Sequence, residues 1–123
     1  MIKNLLLVGL GGGVGSILRY VIQRIMQPQS LSAFPTGTFL INIAGCFLIG
    51  LLWGLFNKSE NWGDEMKLLV MPGLCGGFTT FSAFTLEGIG LLKENKTGLF
   101  LAYIAGSVMF GLLATYIGMR LVK

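Results

Sequence analysis

The sequence contains no histidine. That removes the side chain most used for proton relay near neutral pH and for metal ligation. Charge is scarce as well: 11% of the 123 residues are Asp, Glu, Lys or Arg, against about a quarter in ordinary soluble domains. Composition therefore excludes a typical soluble domain and indicates a membrane protein. The two cysteines, Cys46 and Cys75, lie in separate apolar stretches with neither CxxC nor CxxH spacing. They read as small buried hydrophobes. The net charge of +4 comes from basic residues scattered singly, with no patch among them. That distribution speaks against nucleic acid as a partner and for a lipid surface.

What is abundant is apolar: 54% of residues are hydrophobic, 19 are glycine, and the mean hydropathy is +0.78. Four stretches reach the roughly 20 residues needed to cross a bilayer. They run approximately over Leu5–Ile25, Thr38–Phe56, Lys67–Leu92 and Gly98–Leu121. The connections, Gln27-Pro28-Gln29-Ser30, Asn57–Glu65 and Lys93–Thr97, are short and polar, which leaves no room for a soluble domain. Residues 1–123 are thus expected to form a single all-α transmembrane domain. Lys3 before an apolar run resembles a signal peptide, but the run continues past Arg19 and three more spans follow, so a first transmembrane helix is the reading. Lys3, Lys58, Lys67, Arg120 and Lys123 fall on the side of the termini, and Arg24, Lys93 and Lys96 on the other, with Arg19 nearer to that side. So weak a bias under the positive-inside rule fits one modestly specified orientation, or insertion both ways with pairing of inverted copies.

The third stretch carries its own helix breaker. Pro72-Gly73-Leu74-Cys75-Gly76-Gly77-Phe78-Thr79-Thr80-Phe81-Ser82-Ala83-Phe84 combines a proline, which lacks a backbone donor, with three glycines. A regular α-helix throughout is ruled out. Unwound backbone at membrane depth survives only where it is buried in protein or lines a cavity, and half-helices around such a break are how membrane proteins build ion sites.

Other polar residues in the spans have two readings each. In the first span, Gly9/Gly13 and Gly11/Gly15 both have GxxxG spacing, which permits close helix contact in lipid; no frame gives the GxGxxG of dinucleotide sites. Arg19 either snorkels to the interface or attracts anions at a pore mouth. Thr38 and Asn42, four apart, share a face of the second span. Asn42 is either interhelical glue or an anion donor through its amide N–H groups. Tyr103, Ser107, Gly111 and Thr115 form a narrow i, i+4 stripe on the fourth span, although membrane hydroxyls often only back-bond to their own helix. Phe78, Phe81 and Phe84 recur every three residues among Thr79, Thr80, Ser82 and Thr85, as core packing or as rings whose electropositive edges face a small anion. Glu87 is the only carboxylate inside any span and is a functional candidate or a cap for a neighbouring donor.

Taken together, these motifs resemble the Fluc (CrcB-type) fluoride channels over all four spans. Gly76-Gly77-Phe78-Thr79-Thr80-Phe81-Ser82-Ala83-Phe84 is close to that family's GGxTTFSTF segment. Gly15-Ser16-Ile17-Leu18-Arg19-Tyr20, Gly37-Thr38 through Asn42 to Gly45, and Tyr103 through Ser107 to Gly111 agree in order and spacing. Ala83 departs from the threonine common there. The resemblance implies four helices with the third broken mid-membrane, an antiparallel dual-topology homodimer, and two fluoride pathways in a bacterial plasma membrane. It implies that Phe81 and Phe84 flank each pathway and that Asn42 donates to fluoride. The carbonyls of Gly76 and Thr79 from both copies would hold a central sodium ion. Thr80, Ser82, Tyr103, Ser107 and Glu87, with Thr38 and Arg19, would lie along the polar side. A proton-coupled small multidrug exporter, also a four-span inverted dimer, needs a titratable carboxylate in its first span, and this first span has none. A non-transporting assembly protein would account for the glycines but not for the broken helix or the Asn42 face.

Overall fold

A backbone surrounded by hydrocarbon must satisfy its own hydrogen bonds, and the chain does so with helices. The computed structural model describes residues 1–26, 34–58 and 62–122. Helix α1 spans Ile2–Met26, α2 Thr36–Lys58 and α6 Thr97–Leu121, with 23 to 25 residues each. At 1.5 Å per residue these are roughly 35 Å long, enough to cross a bilayer. Pro35 stands just before the first turn of α2, where its missing N–H has no intrahelical role, and its carbonyl accepts from the Phe39 N–H at 3.0 Å. The expected first connection, Gln27-Pro28-Gln29-Ser30, lies outside the described residues, as do residues 59–61 of the second. All four spans have the length and hydropathy of membrane-crossing helices. The described residues form an all-α, multi-pass membrane protein.

The third span is where continuity fails. It begins as α3 (Asp64–Leu68), widens into a π-helical segment over Leu69–Cys75, and closes with a short α4 (Gly76–Phe78). Pro72 sits inside the widened segment. Proline has no N–H to donate and its ring collides with the carbonyl four residues back; i→i+5 turns give that ring room. The proline is thus absorbed, and the break falls later, at Thr79 (φ −86°, ψ 155°) and Thr80 (φ −147°, ψ 123°), both extended. Helix α5 (Phe81–Lys93) then restarts, capped by the Thr80 hydroxyl, which accepts from the Ala83 N–H at 3.2 Å. Its far end is closed by Asn95 at φ 60°, with Asn95 N–H bonding to Leu92 O at 3.0 Å and Lys96 N–H to Leu91 O at 2.8 Å. That is a Schellman closure, with asparagine in the left-handed role usually taken by glycine.

The break lets one span serve two neighbours. Before it, the third span packs along α1; after it, α5 packs against α6, while α2 and α6 form the most extensive pair. Helix association in lipid depends on close packing rather than on a hydrophobic drive. Of the two GxxxG registers in α1, only Gly11/Gly15 is used: a Cβ at either position would strike third-span backbone, whereas Gly9 and Gly13 face open space. Gly50 and Gly118 play the same part between α2 and α6, against Thr115 and Phe47. A small aromatic cluster of Phe84, Leu91 and Tyr103, with Phe34, Phe39 and Phe100 around it, joins α5, α6 and the start of α2. This cluster holds the post-break half-helix in place.

Candidate functional site

Interrupting a helix frees carbonyls on one side of the break and N–H groups on the other. Here several of them find named partners. Cys75 O accepts from both the Thr79 N–H (3.1 Å) and the Thr79 hydroxyl (3.0 Å). Gly77 O accepts from Arg19 Nε at 3.1 Å. Asn42 bridges the extended residues from α2: its Oδ1 accepts from the Thr80 N–H at 3.0 Å, and its Nδ2 donates to Thr80 O at 3.1 Å. This double contact fixes which way the amide points, because an N–H needs the oxygen and a carbonyl needs the NH2. One amide hydrogen is thereby engaged and one is left over. Among the described residues, nothing donates to the carbonyls of Gly76, Phe78 or Thr79. The break docks onto α2 at Gly45, where any side chain would collide with the Thr79 methyl.

Beside the break opens a cavity of about 430 Å³. Asn42, Gly76, Thr79, Thr80, Phe81, Phe84 and Ser107 all line it, together with Gly45, Cys46, Ile49, Met71, Cys75 and Val108. Phe81 and Phe84 lie with ring centroids 5.7 Å apart at 44°. Phe84 is buried, but Phe81 is 75% exposed, so this wall is open on the outer side of the protomer. The Ser107 hydroxyl is buried and, among the described residues, has no hydrogen-bond partner. Thr115, a further member of the expected stripe, bonds across to Cys46 O on α2 at 3.0 Å rather than back to its own helix.

A second, smaller cavity of about 190 Å³ lies toward the α1–α2 end of the bundle, lined by Tyr20, Gln23, Arg24, Pro35, Gly37, Thr38 and Glu87. Thr38 is buried and accepts from Gln23 Nε2 at 3.1 Å. Tyr103 is wholly buried, and its hydroxyl donates to Glu87 Oε1 at 3.4 Å. The expected residues therefore divide into two groups: seven at the break, and Thr38, Glu87 and Tyr103 around the smaller cavity.

Two residues sit apart from both groups. Arg19 lines neither cavity; its guanidinium caps the C-terminal end of the pre-break half-helix, where the freed carbonyl and the helix dipole favour a cation. Ser82 is exposed and bonded to the Thr80 hydroxyl at 3.3 Å. Conversely, Tyr20, Gln23 and Arg24 were not anticipated at a site. They fall in the last two turns of α1, where polar residues ordinarily mark a membrane interface. Only the i, i+3 and i, i+4 relation of Tyr20 to Gln23 and Arg24 hinted at a shared face.

Residues 6–119 match the family described as CrcB-like protein, Camphor Resistance (CrcB). The chain belongs to the CrcB family. Its relatives include a Flavobacterium psychrophilum protein named Fluoride-specific ion channel FluC, 43% identical over 121 residues and covering 98% of both chains. A protein of the same name from Phocaeicola vulgatus is 45% identical over 116 residues, covering 94% of this chain and 95% of that one. A third, from Methylobacillus flagellatus, is 44% identical over 121 residues, covering 98% and 94%. CrcB membership thus embraces every residue of both cavities.

Proposed function

We propose that the chain is a passive, fluoride-selective channel, not an enzyme, that lets cytoplasmic fluoride leave the cell and so limits its toxicity. The observation that carries this reading is the meeting of Asn42, Phe81, Phe84 and Ser107 on one cavity at the helix break. Fluoride is small and strongly hydrated, so a conducting site must offer donors in place of water while holding the ion loosely enough for release. The free amide hydrogen of Asn42 and the unpartnered hydroxyl of Ser107 are such donors, and both are neutral. The edges of Phe81 and Phe84 add weak positive potential without a fixed charge. Among the described residues, no Lys or Arg lines this cavity to trap the anion. Arg24, Tyr20, Gln23, Thr38 and Glu87 form an entrance whose cationic member raises the local anion concentration. Tyr103 and Thr80 hold Glu87 and the break in position.

A pathway must be sealed from lipid, and the wall at Phe81 is open in one protomer. A second copy closes it. Related by a two-fold axis in the membrane plane, that copy stands inverted, giving an antiparallel homodimer with two pathways. The same operation brings two sets of third-span carbonyls together. The donor-free carbonyls of Gly76 and Thr79 suit a hard cation that takes oxygen ligands, and sodium is the ion we assign to them. When bound, sodium supplies fixed positive charge that locks the two breaks together. Outside the cell, hydrogen fluoride enters as a neutral acid, dissociates in the cytoplasm and is trapped as the anion. A membrane potential, negative inside, is worth about 2.3 kcal/mol per charge per 100 mV, which drives fluoride outward roughly fifty-fold against equal concentrations. No coupled energy source is needed.

The test is fluoride efflux from proteoliposomes holding the purified chain, compared with Phe81→Ile. The parent should conduct and the variant should lose most of its flux while still running as a dimer on size exclusion. Equal flux in both would leave the phenylalanines as packing residues and remove the main support for the pathway.

A further inference from the structure

The two cysteines, which composition treats as filler, both line the large cavity, and Met71 lines it with them. Both thiols are free. They arrive from different elements: Cys46 from α2, with its sulfur facing Gly111 of α6, and Cys75 from the widened turn of the third span. The contact between Gly45 and Thr79 joins these walls, since Cys46 follows Gly45 in the chain and Cys75 O is bonded to Thr79. A cavity with two thiols, a thioether and, among the described residues, no cluster of three His, Cys, Asp or Glu side chains is a poor place for zinc or a hard cation away from the carbonyls. It suits soft, thiophilic ions, which prefer thiolate and thioether sulfur.

We propose that this cavity captures soft metal ions of the mercury, silver and copper(I) class at Cys46 and Cys75, with Met71 as an auxiliary thioether ligand, and that capture plugs it. The chemistry is substitution without change of oxidation state. With mercuric chloride, each thiol forms one sulfur–mercury bond, one mercury–chlorine bond breaks, and a proton and a chloride ion leave. The neutral dichloride crosses lipid, so burial of Cys75 does not bar access. The metal then stands among Asn42, Phe81, Phe84 and Ser107, where it occupies the space through which an anion would move. The plugging half of the proposal rests on the pathway reading above; metal capture does not.

The experiment adds mercuric chloride to the reconstituted full-length chain and to Cys46→Ser, Cys75→Ser and the double variant, with Cys46→Ala and Cys75→Ala held in reserve should a serine variant fail to fold. Bound mercury per chain is counted by elemental analysis after desalting, and fluoride efflux is compared with each sample's own rate before addition. The parent should retain mercury and lose at least tenfold in flux. The double variant should retain none and keep its own rate, and Met71→Leu should need more mercury for the same block. Equal retention in parent and double variant would overturn the site. Retention in the parent with undiminished flux would overturn the plug. Absent flux in the untreated parent would sink the pathway reading alone, and the mercury count would still decide capture.

Discussion

Asn42 has two duties at once, and Asn42→Asp removes the donor while keeping half of the clamp. Its amide clamps the break through bonds of 3.0 and 3.1 Å to Thr80, and keeps one hydrogen for the cavity. Aspartate has the same shape and retains an oxygen for the Thr80 N–H, but without the NH2 group it loses the bond to Thr80 O together with the donor to an anion, and its charge repels that anion. A hydrogen bond to a charged group is worth about 1.5–3 kcal/mol, so if an anion is held here, losing it should slow flux by at least roughly ten- to 150-fold, with the repulsion of the new carboxylate added. Asn42→Ala removes both duties. Two neutral bonds at about 0.5–1.5 kcal/mol each set a stability loss of roughly 1–3 kcal/mol on top of the lost donor. Efflux from proteoliposomes reads the first quantity, and thermal unfolding in detergent reads the second. The expected ranking is parent, Asn42→Asp, Asn42→Ala in stability, with both variants nearly silent in flux. If Asn42→Asp conducts like the parent, the spare amide hydrogen has no role in permeation, and Asn42 is only a clamp.

Three further outcomes follow from the same geometry. Gly45→Ala forces its methyl into Thr79 and should cost about 1–3 kcal/mol of thermal stability, whereas Gly76→Ala, with nothing within 4 Å of its added carbon, should leave the protomer's stability nearly unchanged. Arg19→Leu strips the Gly77 carbonyl of its donor and should cost about 1–3 kcal/mol, with Arg19→Lys recovering part of it; an unaffected melting temperature in Arg19→Leu would show that the cap does not matter. For the inverted dimer, single cysteines at Gly63 and at Glu94, in a background lacking Cys46 and Cys75, should each react about half with an impermeant thiol reagent in intact cells, and full reaction at one with none at the other would refute dual topology.

The four spans were legible because hydropathy and length alone decide a membrane crossing, and the fold has little else. The broken third span was legible too, since Pro72 followed by Gly73, Gly76 and Gly77 speaks against one uninterrupted regular helix. Where the chain unwinds was not. A widened turn around Pro72 is a local accommodation with no signature of its own, and the unwinding at Thr79 and Thr80 depends on Asn42 reaching across from α2 to bond Thr80. Arg19 illustrates the same limit. Its depth in α1 was plain, but the carbonyl that receives it, 58 residues on at Gly77, is freed only because the third span breaks just beyond it. The smaller cavity was half visible: Thr38 and Glu87 stood out as polar groups in apolar runs, while Tyr20, Gln23 and Arg24 hid among the polar residues that end any span.

The central claim is that this cavity passes fluoride and rejects larger anions. Proteoliposomes loaded with equal potassium fluoride and potassium chloride, diluted into impermeant salt and released with a potassium ionophore, report both fluxes in one sample through ion-selective electrodes. Neutral donors and closely set phenylalanine rings predict rapid fluoride efflux, abolished in Phe81→Ile, with chloride release at the level of protein-free vesicles. Chloride leaving as fast as fluoride, or no fluoride release above that background, would contradict the account.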